Sequence, residues 1–246
     1  KGKMMNEQIE LTEESAIANL RSLAYGYLAS GFRKPEKENF DLNKEEFLDA
    51  WKKLIPCLEG EDQFFPLLEK LKGSLKDQTF GALSTQYEYL FSAHGGIKAS
   101  LYETDHTKET PQHALSQGHE FGDIAGFFKA FGLEVSKDFP DRVDFIGSEL
   151  EFMHFMAAKE VYALNQGSEE NIQIVQDAQN KFIEDHLGRW THSLAGALQD
   201  ADKCGFYAAL TELVHEWVTY DRLSMGPLHF QEEDYQHVKE KVIDKL

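Results

Sequence analysis

Apolar residues recur at steps of three and four along most of the chain, the spacing that lines one face of an α-helix. Ile17, Leu20, Ala24, Tyr27 and Leu28 form the first such series. Thr12 can cap it, Glu13 and Glu14 suit the positive end of a helix, and Gly31 supplies the stop. Asn43-Lys-Glu-Glu46 resembles a capping box ahead of Phe47, Trp51, Leu54 and Ile55, with Pro56 as the terminator. Further helices are predicted at about 62–75 and 78–92, the second carrying Phe80, Leu83, Tyr87, Leu90 and Phe91.

The pattern lapses from 93 to 110, where Gly95-Gly96 and many polar residues predict the longest irregular segment, a length associated with functional loops. Thr110-Pro111 then reads as N-cap and first position of a helix that ends at Gly132. The strongest series follows Pro140: Val143, Ile146, Leu150, Met153, Ala157, Val161 and Leu164, with Phe145, Phe152 and Phe155 as a second stripe. Two apolar stripes predict a central helix covered on two sides. Helices at about 169–186, 188–202 and 205–224 complete the series before a charged tail. No stretch alternates with period two, so the expected fold is all-α, a single-domain bundle of about nine to eleven helices.

Composition supports that reading and narrows the partners. A chain of 246 residues with 41% apolar and 12% aromatic side chains can fill one large core without disulfides or metal. Lys and Arg number 25 against 43 Asp and Glu, a net charge of −18. Nucleic-acid binding needs clustered cations to displace counterions, and an anionic membrane surface asks for the same, so neither is expected. Most of the surplus acid is read as solvation. The only cysteines, Cys57 and Cys204, lie far apart, which predicts no disulfide framework and a cytoplasmic protein. No run of about 18 apolar residues predicts a membrane span, and nothing at Lys1-Gly2-Lys3-Met4-Met5 resembles a signal peptide. The residues ahead of Met4 are read as an added remnant.

Catalytic signatures are missing: there is no GxxxxGK[ST], GxGxxG or GxSxG. A second reading, an enzyme, rests on one metal pattern. Glu151-Phe-Met-His154 and Glu212-Leu-Val-His215 both have the ExxH spacing of di-metal helical bundles, and Glu120 and Glu184 lie on preceding helices. On a helical wheel, however, Leu210, Leu213, Val214 and Trp217 share one face, which turns Glu212 and His215 toward solvent. His94, His106, His113 and His119 repeat no ligand spacing and read as a polar loop and helix start. The expectation is therefore no metal, no cofactor and no catalysis.

One ordered set of segments carries a resemblance. Tyr87-Glu-Tyr-Leu90-Phe91, Leu101-Tyr102-Glu103 and Asp123-Ile-Ala-Gly-Phe-Phe-Lys-Ala-Phe-Gly132 are followed by Phe139-Pro140-Asp141 and Glu149-Leu-Glu151-Phe-Met153. Phe182-Ile-Glu-Asp-His186-Leu187-Gly-Arg-Trp190 and Phe206-Tyr207 close the set. The chain resembles the chaperones that mature molybdenum-dependent oxidoreductases, the TorD/DmsD/NarJ type, from about residue 80 to 222 and more loosely from residue 12. The resemblance implies an all-helical, non-enzymatic protein that binds the N-terminal leader of a molybdopterin oxidoreductase catalytic subunit, often a twin-arginine signal. It would hold that subunit until cofactor insertion and assembly, as a monomer or a dimer.

Carried over by motif, the peptide-binding surface comprises Tyr87, Phe91, Tyr102, Glu103, Pro140 and Asp141. Asp144 joins Glu103 and Asp141 as a carboxylate expected near the leader's arginines, since a planar guanidinium pairs bidentately with carboxylates. Tyr87 and Phe91, one turn apart, would flank a groove for the apolar part of the leader. Asp141 could equally serve as an N-cap or first-turn acid, and Glu149 and Glu151 read as structural pairs. The sequence departs from the family at Arg142, where histidine is usual, and at Ala93-His-Gly-Gly-Ile-Lys-Ala-Ser100, where a proline-rich loop is usual.

Overall fold

A computed structural model describes residues 12–38, 40–57, 61–93, 96–107, 113–133, 142–202 and 205–225. Helix α1 spans Glu13–Gly31, and its Thr12 cap accepts a hydrogen bond from the Ser15 amide at 3.2 Å. Next come α2 (Phe40–Leu54), a 3-10 turn at Ile55–Cys57 that follows as Pro56 requires, α3 (Phe64–Leu75) and α4 (Phe80–Phe91). Pro66 sits in the first turn of α3, where its missing N–H costs nothing. The chain continues through the one-turn α5 (Glu103–His106), α6 (His113–Ala130), α7 (Ile146–Gln166), α8 (Glu169–Phe182), a π turn (Ile183–Leu187), α9 (Gly188–Ala201) and α10 (Phe206–Met225). Among the described residues there is no strand, only an isolated antiparallel bridge between Tyr102 and Phe145. The all-α expectation holds.

α1 lies along α7, whose other side meets α8, while α10 packs on α9 and α3. This covers α7 on two sides, as its two apolar stripes require. Trp217 of α10 centres one half of the contiguous core, with Tyr25 and Trp51 each edge-on at 5.9 Å between ring centres. Phe127, Phe128, Phe152 and Phe182 form the other half. Among the described residues no helix is long and apolar enough to cross a membrane.

Three sequence expectations change. α2 starts at Phe40, so Asn43 lies inside the helix and the apparent capping box does not mark its start. α7 starts at Ile146, not directly after Pro140: residues 143–144 form a turn, and Phe145 is extended and bridged to Tyr102. Finally, the segments predicted at 169–186 and 188–202 are continuous through the π turn. The Thr110-Pro111 cap and the 226–246 tail lie outside the described residues.

Candidate functional site

Within the segment read as an irregular loop, residues 99–107 form a bridge and a helical turn and are largely buried. The Lys98 amide donates to the carbonyl of Leu90 at 2.8 Å, and Ala99 and Leu101 enter the core. The Tyr102–Phe145 bridge is built by the Glu103 amide on the Asp144 carbonyl and the Ile146 amide on the Leu101 carbonyl, both at 2.9 Å. One helical turn follows, with Thr107 Oγ1 donating back to the carbonyl of Glu103. His106 locks this turn to α9: Nε2 meets the Ser100 carbonyl at 2.7 Å, Nδ1 meets Ser193 Oγ at 3.0 Å, and its ring lies over Trp190.

That folding carries Glu103 into the interior. Its carboxylate is fully buried and faces His186 of the π turn, with Oε2 at 3.2 Å from Nδ1. The opposite ring nitrogen, Nε2, lies 3.1 Å from Asp123 of α6. Burial alone would lower the His186 pKa, but the Asp123 and Glu103 carboxylates outweigh it and push it up to about 9. His186 is therefore an imidazolium at neutral pH, donating to an acid on each side. Glu149 on α7 completes the seam. Burial and the nearby Glu103 carboxylate raise its pKa well above the ordinary carboxylate range, and it accepts from the Trp190 indole at 3.1 Å.

The π turn puts His186 in place, and Gly188 makes the turn possible. A Cβ at Gly188 would sit 2.6 Å from the Ile183 carbonyl oxygen, a backbone atom that cannot swing aside. Gly188→Ala should lower stability by about 1–3 kcal/mol, the usual cost of overpacking. Urea unfolding checks this, and an unchanged midpoint would show that the turn relaxes freely.

Outside the seam, His186 backs an open cleft of about 780 Å³ edged by Glu120, Asp123, Glu184, Asp185 and Arg189. On its other side Asp144, also fully buried, accepts from the Thr104 amide and hydroxyl and is clasped by Arg142. Thus Tyr102, Glu103 and Asp144 converge on one locality, with Tyr102 partly exposed and both acids inside. Tyr87 and Phe91 lie elsewhere, in an aromatic cluster on Tyr207 with ring centres 5.0–5.9 Å apart. Tyr207 also lines a groove of about 580 Å³ whose lining includes Leu23, Phe47, Leu75 and Leu83. Pro140 and Asp141 lie outside the described residues. The sequence reading missed His186, Asp123 and Phe121 as members of this locality. His186 and Asp123 lie within the resembling motifs, which was the available signal, whereas Phe121 lies outside them.

The ExxH residues do not converge. Glu151 pairs with Arg33 at 2.6 Å, His154 hydrogen-bonds Ser22, Glu212 pairs with Lys70, and His215 meets Thr191. Among the described residues no group of three or more His, Cys, Asp or Glu side chains could hold a metal ion.

Comparison with known proteins gives the same grouping. The profile of the nitrate reductase delta subunit family matches residues 58–196, more than half of the chain, from just before α3 through most of α9. The chain belongs to this family. The match includes the bridge, the seam and the π turn. The perchlorate reductase assembly chaperone protein of Dechloromonas aromatica (strain RCB) is 27% identical over 218 residues, 85% of this chain and 93% of that protein. Chaperone protein TorD of Shewanella pealeana is 25% identical over 220 residues, covering 86% and 92% of the two chains. The chlorate reductase assembly chaperone protein of Ideonella dechloratans is 25% identical over 215 residues, covering 85% and 93%. The resemblance to TorD-type chaperones read from the ordered motifs agrees with these delta-subunit-family relatives.

Proposed function

We propose that this protein is a cytoplasmic, non-catalytic assembly chaperone that binds the N-terminal leader of a molybdopterin oxidoreductase catalytic subunit and holds it through cofactor insertion. The observation that carries the reading is similarity over 85% of this chain to proteins named as perchlorate and chlorate reductase assembly chaperones, joined to an all-helical fold. The surface supports it in two places. Around Tyr102 and Arg142, acids and aromatic faces lie side by side, the chemistry that suits a leader's arginines. The groove lined by Tyr207, against which Tyr87 and Phe91 pack, offers apolar side chains for the segment that follows. The motif resemblance assigns Asp141, the chain neighbour of Arg142, to this recognition surface.

Asp141→Asn should weaken leader binding by about 1–3 kcal/mol, the range for a charge-assisted hydrogen bond, and leave the melting temperature unchanged. Peptide fluorescence anisotropy and a thermal melt on the same sample check both. A lowered melting temperature with full affinity would remove Asp141 from the binding surface.

A further inference from the structure

Arg142 is held as a ligand would be. Its Nε donates to Asp144 Oδ1 at 2.9 Å and its Nη2 to Oδ2 at 2.6 Å, the two parallel bonds of a guanidinium–carboxylate fork. The same Nη2 reaches Thr104 Oγ1 at 2.5 Å. The guanidinium carbon lies 4.4 Å from the centre of the Tyr102 ring and 5.0 Å from that of Phe121, within cation–π range of both. These four partners come from three separate places in the chain: the bridge and α5, the middle of α6, and the turn before α7. The carboxylate is wholly buried, whereas the Arg142 side chain remains 42% exposed. The guanidinium therefore covers the buried carboxylate from the surface.

We propose that Asp144, Thr104, Tyr102 and Phe121 form a guanidinium-binding site that holds the chain's own Arg142 and exchanges it for an arginine of the client leader. The ligand class follows from the geometry. Two parallel acceptors and two aromatic rings fit a flat, forked cation and offer an ammonium only a point contact. Exchange conserves every bond, because the incoming arginine takes over the same fork and the displaced Arg142 moves into water. A self-ligand two residues from its acceptor is always present, so it lowers the apparent affinity for any competing arginine by the fraction of time it occupies the site. Arg142 thereby sets a threshold that an isolated arginine does not cross and a leader with additional apolar contacts does.

The site itself can be tested without a client. Arg142→Ala is melted with and without millimolar ethylguanidinium, with ethylammonium as the control cation. We expect the variant to melt below the wild type, to recover several degrees saturably with ethylguanidinium only, and the wild type to stay unmoved. If the variant does not fold unaided, recovery of its helical circular dichroism on adding ethylguanidinium is the same readout. No guanidinium-specific recovery in either form overturns the site. The exchange step rests on the leader-binding reading and has its own arm: Arg142→Ala should bind an arginine-containing leader about tenfold tighter than wild type or more. A leader with lysines in place of arginines should gain nothing. Equal affinity of wild type and variant for the arginine leader overturns the exchange, whereas rescue by ethylguanidinium with no leader binding to either protein would leave the site standing and refute the chaperone reading.

Discussion

His186→Gln should flatten a loss of stability that the wild type shows as pH rises from about 6.5 to about 9. The folded-state pKa of His186 is raised above its ordinary 6.5, so its contribution is complete below pH 6.5 and disappears as pH passes through about 9. Each pKa unit corresponds to about 1.4 kcal/mol, which sets an upper value of about 3 kcal/mol for the decline. Solvent screening removes little of this, since the side chain is only 2% exposed. Glu149 acts in the same sense, because a carboxyl with a raised pKa also loses stability as pH rises. His215 is pushed down by burial and acts in the opposite sense, below pH 6.5. The informative quantity is therefore the difference between wild-type and variant slopes, read by urea unfolding across this range. Equal slopes would show that His186 is not the charged link between Glu103 and Asp123. At neutral pH the variant should also be less stable by about 3–5 kcal/mol, because Glu103 is left buried without its counter-charge.

An effect of similar size is expected at Arg21→Ala. Arg21 lies in the core with its Nε 2.5 Å from Asp221, its Nη1 2.5 Å from Glu160 and its Nη2 2.8 Å from the Gln179 amide oxygen. Tyr25 adds a hydroxyl on Asp221 at 2.7 Å, and burial together with that carboxylate raises its own pKa well above 10. One guanidinium thus ties α1 to α7, α8 and α10. Truncation strands two buried carboxylates, a loss of about 3–5 kcal/mol and of about 10 °C in melting temperature. Arg33→Ala is the matched control, since its partner Glu151 and Arg33 itself are 47% and 66% exposed. Exposed pairs contribute at most about 1 kcal/mol. A melt in which both variants fall equally would contradict the assignment of Arg21 as the central tie.

The helices were legible because each buries a stripe at helical spacing, and Thr12 and Pro56 mark ends that the chain uses. The start of α7 was not, because Phe145 continues the apolar series while its backbone is extended to pair with Tyr102. Hydrophobic spacing cannot distinguish those two uses of a buried phenylalanine. The same limit hid the order within 99–107, since one bridge and one helical turn repeat nothing. Among candidate site residues, Tyr102, Glu103 and Asp144 share one locality, but the sequence could not show that Asp144 faces Arg142 from its own chain. Arg142 departs from the histidine that is usual at its position in the resembling family. Its bidentate seat turns that departure into the most informative contact on the surface.

Calorimetric titration of the full chain with the N-terminal leader of a molybdopterin oxidoreductase catalytic subunit from the same cell is the most direct test of the chaperone reading. The expected result is saturable binding, tighter at low salt than at moderate salt because charged contacts on the surface are screened. No saturable binding at either salt concentration, to this leader or to those of other molybdopterin oxidoreductases in the same cell, would contradict it.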